Sequence, residues 1–240
     1  MNILITGGAS GLGEAITRML AKDKNNTIYF TYNSSNVNAL KIQEDLKNTV
    51  SIKCNFKDSN ELILLTNRIK LLDLDILINN AYSGDVSPTY FHKMLPAKFL
   101  ADFSENIIPT IKLTQEVIKH FRKKKQGKII TILTSYLANT PPKGLSSYVA
   151  NKAYLGKLTK VWASENIKFN ISSNSISPSF MLTGLTKDVD ERIIDQMIFD
   201  HPQQKLLTVN EVADTVNFLV NSSSQINGVD ILINAGINTK

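Results

Sequence analysis

The chain has 240 residues, of which 42% are hydrophobic and 20% are charged. This ordinary globular composition excludes a disordered chain, a coiled coil and collagen, and the length suits one α/β domain over residues 1–240. No apolar run approaches the roughly 18 residues of a membrane helix, and the start of the chain lacks the pattern of a signal peptide. We therefore expect a cytoplasmic protein that does not bind membranes.

Cysteine, histidine and charge limit the kinds of site further. Cys54 is the single cysteine and cannot form an intrachain disulfide, and His92, His120 and His201 lack the spacing of zinc ligands, so no metal site is predicted. The net charge of +6 comes from six basic residues within residues 119–128, since 21 other basic residues balance 21 acidic ones. We interpret this basic segment as a solvated helix end and expect no nucleic-acid binding.

Seven short apolar runs rich in β-branched residues alternate with helical stretches, at residues 2–6, 27–32, 49–54, 74–79, 128–134, 169–176 and 229–233. Several are apolar at successive positions, which is typical of strands covered by helices on both faces. The pattern predicts a parallel, doubly wound α/β sheet. Two stretches with little periodicity, residues 82–95 and 178–207, follow strands that should end at the edge where such sheets bind ligands.

A glycine-rich turn follows the first predicted strand and opens a helix, and it reads Thr6-Gly7-Gly8-Ala9-Ser10-Gly11-Leu12-Gly13. Glycines let the backbone approach a pyrophosphate, whose charge is favoured by the N–H groups and the dipole of the helix N-terminus. A plain strand-to-helix connection is the alternative interpretation. The position directly after the first strand favours dinucleotide binding.

The cofactor's adenosine ribose should meet the end of the second strand, about 20 residues beyond the glycines. No carboxylate stands between Tyr29 and Asn36, so nothing there would bond a ribose 2′-hydroxyl or repel a 2′-phosphate. Asn33, Ser34 and Ser35 can donate hydrogen bonds to a phosphate, although the stretch also lacks Lys and Arg. The sequence therefore favours NADP(H) over NAD(H), while simple turn chemistry would also explain these three residues.

Tyr148 and Lys152 are four residues apart on a predicted helix and therefore share a face, and Ser135 lies at the end of the fifth predicted strand. A cation beside the tyrosine would lower the pKa of its hydroxyl towards working pH. Tyr148 could then donate a proton to a carbonyl, or accept one from an alcohol, while Ser135 hydrogen-bonds the same oxygen. A Tyr-x-x-x-Lys pattern alone is common by chance, so its position in the fold carries the signal.

Together these motifs resemble the short-chain dehydrogenases/reductases of the classical type, and most of all the 3-oxoacyl-[acyl-carrier-protein] reductases and their relatives. The matching motifs span the chain: Thr6-Gly-x-x-x-Gly11-x-Gly13, Asn79-Asn80-Ala81, Asn106, Ser135, Tyr148-x-x-x-Lys152, Asn174-x-x-x-Pro178 with Thr183, Asn227-Gly228-Val229-Asp230 and Asn234-Ala235-Gly236. The resemblance implies a Rossmann-type parallel sheet of about seven strands in the order 3-2-1-4-5-6-7, with helices on both faces. It also implies a homo-oligomer, and we expect a tetramer.

The resemblance assigns roles to individual residues. Asn106, Ser135, Tyr148 and Lys152 would form the catalytic set, with Asn106 holding a water that links Lys152 to bulk solvent. Lys152 would also bond the nicotinamide ribose. The cofactor would be bound by Thr6, Gly7, Ser10, Gly11, Leu12, Gly13, Asn33, Ser34, Ser35, Asn55, Phe56, Asn80, Ala81, Tyr148, Lys152, Pro178, Ser179, Met181 and Thr183.

Three positions depart from the family pattern. Tyr82 and Ser179 stand where the family usually has glycine, after Asn79-Asn80-Ala81 and after Pro178. Asn55 replaces an aspartate near the adenine, and its carbonyl could still bond the adenine amino group. Tyr82 would either narrow the cofactor cleft or stack on a neighbour, unless its side chain turns to solvent.

The leading hypothesis is an enzyme that reduces a carbonyl, such as a 3-oxoacyl thioester or a similar ketone, to a secondary alcohol with NADP(H). A polyol or sugar-derived substrate remains open, because residues 82–95 and 178–207 would shape the substrate pocket. The rival class is a non-catalytic NADP-binding sensor or assembly protein, which the complete catalytic set disfavours. An acidic carrier protein is a possible partner without support from the sequence.

Overall fold

The structure, a computed structural model, describes residues 1–83, 88–138, 140–186 and 189–237. Seven strands form one parallel sheet in the order β3-β2-β1-β4-β5-β6-β7. They are β1 (Asn2–Ile5), β2 (Thr27–Tyr32), β3 (Thr49–Lys53), β4 (Ile76–Asn79), β5 (Gly127–Ile132), β6 (Ile171–Pro178) and β7 (Asp230–Ile233). The predicted fold class and strand order are confirmed, and each strand overlaps its predicted run.

The helices of the described residues are α1 (Gly11–Leu20), α2 (Asn36–Asp45), α3 (Ser59–Ile69), α4 (Pro96–Lys124), α5 (Ser146–Asn166), α6 (Glu191–Asp200) and α7 (Val209–Asn221). Short 3-10 turns occupy Phe91–Lys93, Ser135–Leu137 and Ile167–Phe169. Across these ranges, no helix combines the length and the apolar character that crossing a membrane requires.

Both faces of the sheet are buried, as the unbroken apolar strands predict. In β1, Ile3 and Ile5 join a core formed with α1, α2 and α7, whereas Leu4 between them joins the core under α3, α4 and α5. Successive side chains of a strand point to opposite faces, so a strand between two helical layers tends to be apolar at successive positions, as Ile3, Leu4 and Ile5 of β1 are. This double burial stabilises the sheet, and because all its strands are parallel, their carboxyl ends lie at one edge.

That edge carries the segments in which the sequence places the site. The glycine-rich turn follows β1, residues 80–83 follow β4, and the turn Ser135–Leu137 follows β5. The two proposed substrate loops follow β4 and β6 and contain the turn Phe91–Lys93 and α6. Residues 84–87 and 187–188 of these loops, together with residues 139 and 238–240, lie outside the described residues.

The basic segment at residues 119–128 ends a helix, as predicted, because α4 stops at Lys124. It is not uniformly solvated, however. Lys124 pairs with Asp73 at 2.8 Å and with Asp75 at 2.7 Å. Lys128 donates to the carbonyl oxygens of Leu219, Val220 and Ser222 at the end of α7, where a cation satisfies carbonyls that have no helical partner. The prediction of a fully solvated segment is therefore wrong for these two lysines.

Candidate active site

The glycine-rich turn is restricted to glycine at four positions, among them Gly8, where a Cβ atom would lie 2.6 Å from the Cβ of Phe30. Gly7 and Gly11 have φ values of 66° and 52°, in the left-handed region that glycine adopts without strain. A Cβ atom on Gly7 would lie 3.1 Å from the Cα of Ala81, and one on Gly13 would lie 1.9 Å from the carbonyl oxygen of Gly7. No larger residue fits at Gly13 unless the backbone moves.

The start of α1 is suited to an anion. The N-cap residue Ser10 is exposed and makes no side-chain capping bond, so it leaves the first N–H groups of the helix open. A Cβ atom on Gly11 would lie 3.3 Å from the Cβ of Thr183, which places the segment after β6 over the turn. Open N–H groups, the helix dipole and the close backbone packing fit the pyrophosphate of a dinucleotide.

Hydrogen bonds fasten the glycine-rich turn to β4 and to β2. The Thr6 Oγ1 atom accepts from the N–H groups of Asn80 at 2.9 Å and of Ala81 at 3.0 Å. The Asn80 amide donates to the carbonyl oxygens of Thr6 at 2.9 Å and of Gly7 at 3.2 Å. Thr31, which the sequence analysis missed, accepts from the N–H of Gly7 at 2.9 Å. Asn80 therefore orders the turn, and its predicted ribose contact stays a prediction.

Asn106 on α4 holds the backbone of the loop after β4. Its Oδ1 atom accepts from the N–H of Ser83 at 2.7 Å, and its Nδ2 atom donates to the carbonyl oxygen of Ser83 at 3.0 Å. The backbone carbonyl of Asn106 accepts from the Thr110 hydroxyl at 2.8 Å. The Nδ2 atom of Asn106 also donates to the carbonyl oxygen of Asp102 at 3.0 Å. The side chain is thus committed to Ser83 and Asp102, and the predicted water relay to Lys152 stays a prediction.

Tyr148 and Lys152 lie one turn apart on α5, as the spacing predicted, and they meet the end of β5. The Lys152 Nζ atom is buried, donates to the carbonyl oxygen of Ile132 at 2.8 Å and lies 5.8 Å from the centre of the Tyr148 ring. Ser135 is buried directly beyond β5. Its neighbours Thr134 and Tyr136 both influence the Tyr148 hydroxyl, so the predicted catalytic residues are gathered in one region.

The electrostatics of this pair differ from the sequence-based expectation. Burial raises the pKa of Tyr148 above its usual range, and the Thr134 hydroxyl opposes this rise only in part. Burial also lowers the pKa of Lys152 to about 8, because a desolvated ammonium is disfavoured. The predicted lowering of the Tyr148 pKa by Lys152 is therefore not found, and Tyr148 is held in its protonated form.

A buried carboxylate joins α4 to α5 next to the site, and no sequence pattern indicated it. The buried Asp102 accepts from the Ser147 hydroxyl at 2.7 Å, one residue before Tyr148, and also pairs with Lys98. Asp102 and Lys98 are four residues apart on α4, but only the fold reveals that Asp102 contacts α5. This contact fixes the start of α5.

The segment after β2 is accessible to solvent, as a binding site for an adenosine ribose requires. The side chains of Asn33 and Ser34 are exposed and Ser35 is half-buried. Asn38 on α2, which the sequence analysis did not select, donates to the carbonyl oxygen of Ala9 and to Glu14, both at 2.6 Å. Asn38 therefore ties α2 to the glycine-rich turn.

Asn55 and Phe56 follow β3 and are half-buried. The Asn55 side-chain carbonyl accepts from the N–H of Lys57 at 3.1 Å, and its own N–H donates to Glu61 at 2.6 Å. The carbonyl proposed for the adenine amino group thus already orders the local turn. Because a carbonyl oxygen has two lone pairs, it retains capacity for a second bond.

The segment after β6 begins with a backbone bond to β7, since the N–H of Ser179 donates to Ile233 at 2.9 Å. Thr186 then organises the rest of the segment. Its Oγ1 atom accepts from the N–H of Thr183 at 2.9 Å and donates to the carbonyl oxygen of Met181 at 2.8 Å. Thr183 is consequently held near Gly11, whereas the contacts predicted for Pro178, Ser179 and Met181 with a cofactor stay predictions.

The family model described as short chain dehydrogenase matches residues 1–193. The chain belongs to the short-chain dehydrogenase family. It is therefore an oxidoreductase that interconverts an alcohol and a carbonyl group with a nicotinamide cofactor.

Relatives within the short-chain dehydrogenase family are similar over nearly the full chain. The 3-oxoacyl-[acyl-carrier-protein] reductase of Rickettsia prowazekii is 31% identical, with 98% of this chain and 95% of the relative covered. The enzyme of the same name from Thermotoga maritima is 28% identical, with 98% and 96% covered. Among solved structures, ElxO with bound NADP has a TM-score of 0.88 and 25% identity, with 100% of this chain and 99% of that chain covered.

Tyr82 is the departure from the short-chain dehydrogenase pattern that most changes the site. Its ring does not turn away to solvent but contacts Tyr148 edge to face, with ring centres 5.1 Å apart. The Lys152 Nζ atom lies 5.0 Å from the centre of the Tyr82 ring, closer than to the Tyr148 ring. The stacking interpretation of this residue is therefore correct.

Proposed function

We propose that the protein reduces the carbonyl of a 3-oxoacyl thioester or a similar ketone to a secondary alcohol, with NADPH as the cofactor and Tyr148 as the proton donor. The observation that carries the proposal is the contact between the half-buried Tyr148 and the buried Lys152, beside the turn that bears Ser135. NADPH supplies the hydride when it is bound. The identity of the relatives as 3-oxoacyl reductases supports the substrate class.

The proposed catalytic roles follow from the protonation state of Tyr148 and from the positions of the residues around it. Burial keeps the Tyr148 hydroxyl protonated, as a donor to a carbonyl oxygen must be before the reaction. As the proton leaves, the Lys152 ammonium stabilises the phenolate, and the carbonyl of Ile132 fixes the position of that ammonium. Ser135 hydrogen-bonds the substrate oxygen, and Asn106 orders the adjoining loop and the proposed water relay.

The proposed cofactor contacts follow the same edge of the sheet. The turn from Thr6 to Gly13 would hold the pyrophosphate, and the position of Thr183 next to Gly11 supports a role for Thr183 at the same site. Asn33, Ser34 and Ser35 receive the 2′-phosphate, so NADP(H) is favoured over NAD(H). The remaining proposed contacts with the cofactor come from Asn55, Phe56, Asn80, Ala81, Pro178, Ser179 and Met181.

We propose that residues 1–240 act as one domain whose substrate pocket is formed by residues 82–95 and 178–207. Apolar side chains are exposed along these loops, with Phe91 71%, Leu95 71%, Leu182 57% and Phe199 76% accessible. The Ser146 hydroxyl lies 3.9 Å from the Met94 sulfur, which joins the first loop to the start of α5 two residues before Tyr148. A pocket lined by these apolar side chains would bind an acyl chain more favourably than a polyol.

The experiment that tests the substrate class measures NADPH oxidation with a 3-oxoacyl thioester, simple ketones and keto-sugars, with Tyr148→Phe as the matched control. The highest kcat/KM is expected for the thioester, because its acyl chain gains from apolar burial. A keto-sugar with the highest value would replace the proposed substrate class. No turnover with any compound, combined with tight cofactor binding, would favour the non-catalytic sensor.

The proposed cellular form is a cytoplasmic homotetramer, paired through α4 and α5. Exposed apolar residues on these helices support such an interface, since Leu100, Tyr154 and Val161 are 73%, 44% and 44% accessible. An acidic carrier protein is not required by the proposal, because Lys124 and Lys128 of the basic segment already have structural partners.

A further inference from the structure

Tyr82 lies within the proposed proton-transfer machinery, at the position after Asn79-Asn80-Ala81. Its ring meets that of Tyr148 at an interplanar angle of 79°, with centres 5.1 Å apart, an arrangement in which aromatic pairs attract each other. Its face also carries the Lys152 Nζ atom at 5.0 Å, within the range of a cation–π interaction. One side chain therefore touches both residues of the Tyr-x-x-x-Lys motif.

The backbone on either side of Tyr82 is fixed. The N–H of Ala81 donates to Thr6 at 3.0 Å, and both backbone groups of Ser83 are bonded by the Asn106 amide at 2.7 and 3.0 Å. Tyr82 is thus held between two fastened neighbours, so the loop presents its ring in a defined place. This is the support that a residue needs in order to position another side chain.

The surroundings of Lys152 explain why an aromatic face matters there. Within the described part of the chain, its ammonium has one hydrogen-bond acceptor, the carbonyl of Ile132, and no carboxylate partner. A buried ammonium with so little compensation is costly, and a ring face offers partial negative charge. The pKa of Lys152 is shifted by burial alone, and the neighbouring groups act on the two tyrosines. Besides burial, Asp102, paired with Lys98 on α4, raises the pKa of Tyr82, whose hydroxyl is also hydrogen-bonded to Asn151 on α5. Besides burial, Tyr136, in the turn after β5, raises the pKa of Tyr148.

We propose that Tyr82 is a positioning residue for the proton donor: its ring face holds the Lys152 ammonium next to Tyr148 while its contact with the Tyr148 ring fixes that ring on α5. The inference rests on the proposed function of Tyr148 and Lys152. An aromatic side chain thereby supports Tyr148 and Lys152 at a position where the short-chain dehydrogenase family usually has glycine.

A physical consequence separates this role from simple space filling. The ring face stabilises the charged form of Lys152, so its removal should make Lys152 lose its proton at lower pH. The expected shift is about 0.4 to 1.5 pH units, the range that cation–π interactions of partly to fully desolvated pairs produce. A side chain that only filled space would leave this titration unchanged.

The decisive measurement is the pH titration of the Lys152 Cε resonance by NMR, in carbon-13 lysine-labelled protein without added cofactor, with the resonance assigned by Lys152→Met. Tyr82→Leu should lower the midpoint by about 0.4 to 1.5 units, whereas Tyr82→Phe, which keeps the ring face, should stay within about 0.3 units of wild type. Equal midpoints in wild type and Tyr82→Leu would overturn the proposal. A shift in Tyr82→Phe as large as that in Tyr82→Leu would also overturn it, because the hydroxyl would then be responsible.

Tyr154→Leu provides a matched control on the same helix. Tyr154 forms an edge-to-face pair with Phe103 at 5.2 Å and 79°, nearly the geometry of the Tyr82–Tyr148 pair, but it has no contact with Lys152. Its loss should leave the Lys152 midpoint unchanged, with light scattering used to compare the assembly of the variants. A shift equal to that of Tyr82→Leu would show that α5 responds to any lost ring pair and would overturn the assignment to Tyr82.

A second variant protects the test against a folding failure of Tyr82→Leu. Incorporation of 3,4,5-trifluorophenylalanine at position 82 nearly preserves ring shape but weakens the negative face, so the midpoint should fall relative to Tyr82→Phe. An unchanged midpoint would overturn the proposal. The alkaline limb of kcat/KM for ketone reduction should move in the same direction as the midpoint. If the midpoint shifts but wild type reduces no carbonyl, the proposed function fails while the placement of Lys152 by Tyr82 stands.

Discussion

A single methyl group added at Gly13 tests whether the glycine-rich turn is shaped for a cofactor. In Gly13→Ala the new Cβ would lie 1.9 Å from the Gly7 carbonyl oxygen and 2.7 Å from the Asn80 Nδ2 atom. Since real Cβ contacts stay beyond 3.0 Å, the turn and α1 must separate by about 1 Å. Overpacking of this kind costs about 1 to 3 kcal/mol, which corresponds to a fall in Tm of about 2 to 12 °C for a chain of this size.

The same displacement moves the first N–H groups of α1 away from the proposed pyrophosphate. A lost hydrogen bond to a charged group costs about 1.5 to 3 kcal/mol, so the Kd for NADPH should rise by at least about tenfold. Fluorescence titration measures this Kd. Gly184→Ala is the matched control, because no heavy atom of the described residues lies within 4 Å of its added Cβ. A Kd for Gly13→Ala within about twofold of wild type would refute the reasoning.

Three further predictions address the cofactor, the basic segment and the assembly. NADPH should bind more tightly than NADH, because residues 29–36 contain no carboxylate to repel a phosphate; an approximately tenfold preference for NADH in paired titrations would contradict this. Lys128→Met should lower stability by about 1 to 3 kcal/mol in thermal unfolding, since the end of α7 loses its cation. Lys123 is exposed, so Lys123→Met is the control. Equal Tm values for the two variants would refute the role of Lys128. Light scattering should give a molar mass about four times the 26.7 kDa mass of the chain. A monomer at micromolar concentration would exclude the proposed interface.

The fold was predictable because strands that are buried on both faces have a recognisable run of apolar residues. A strand such as β4 between two helical layers is apolar at successive positions, here from Ile76 to Ile78, and the glycine-rich turn after β1 has steric requirements that few sequences meet. Strand ends were less predictable. The fifth strand stops at Ile132 rather than at Thr134, because Thr134 leaves the sheet to begin the turn that carries Ser135.

The candidate site was predictable in composition but not in its contacts. The spacing of Tyr148 and Lys152 placed them on one helix face, yet it could not show that burial dominates both pKa values. Burial depends on the packing of α5 against β5 and the loop after β4, which are distant in sequence. For the same reason the sequence left the orientation of Tyr82 undecided, and Asp102 gave no signal before α4 and α5 were seen to meet.

The central claim is that Tyr148 donates the proton in a carbonyl reduction. The most direct test compares kcat and the Kd for NADPH in wild type and Tyr148→Phe, with the best carbonyl substrate of the panel. Loss of the hydroxyl should lower kcat by about 10² to 10⁴-fold, the usual contribution of general acid catalysis, while the ring keeps cofactor binding within about threefold of wild type. A variant that keeps more than about a tenth of the wild-type kcat would contradict the account.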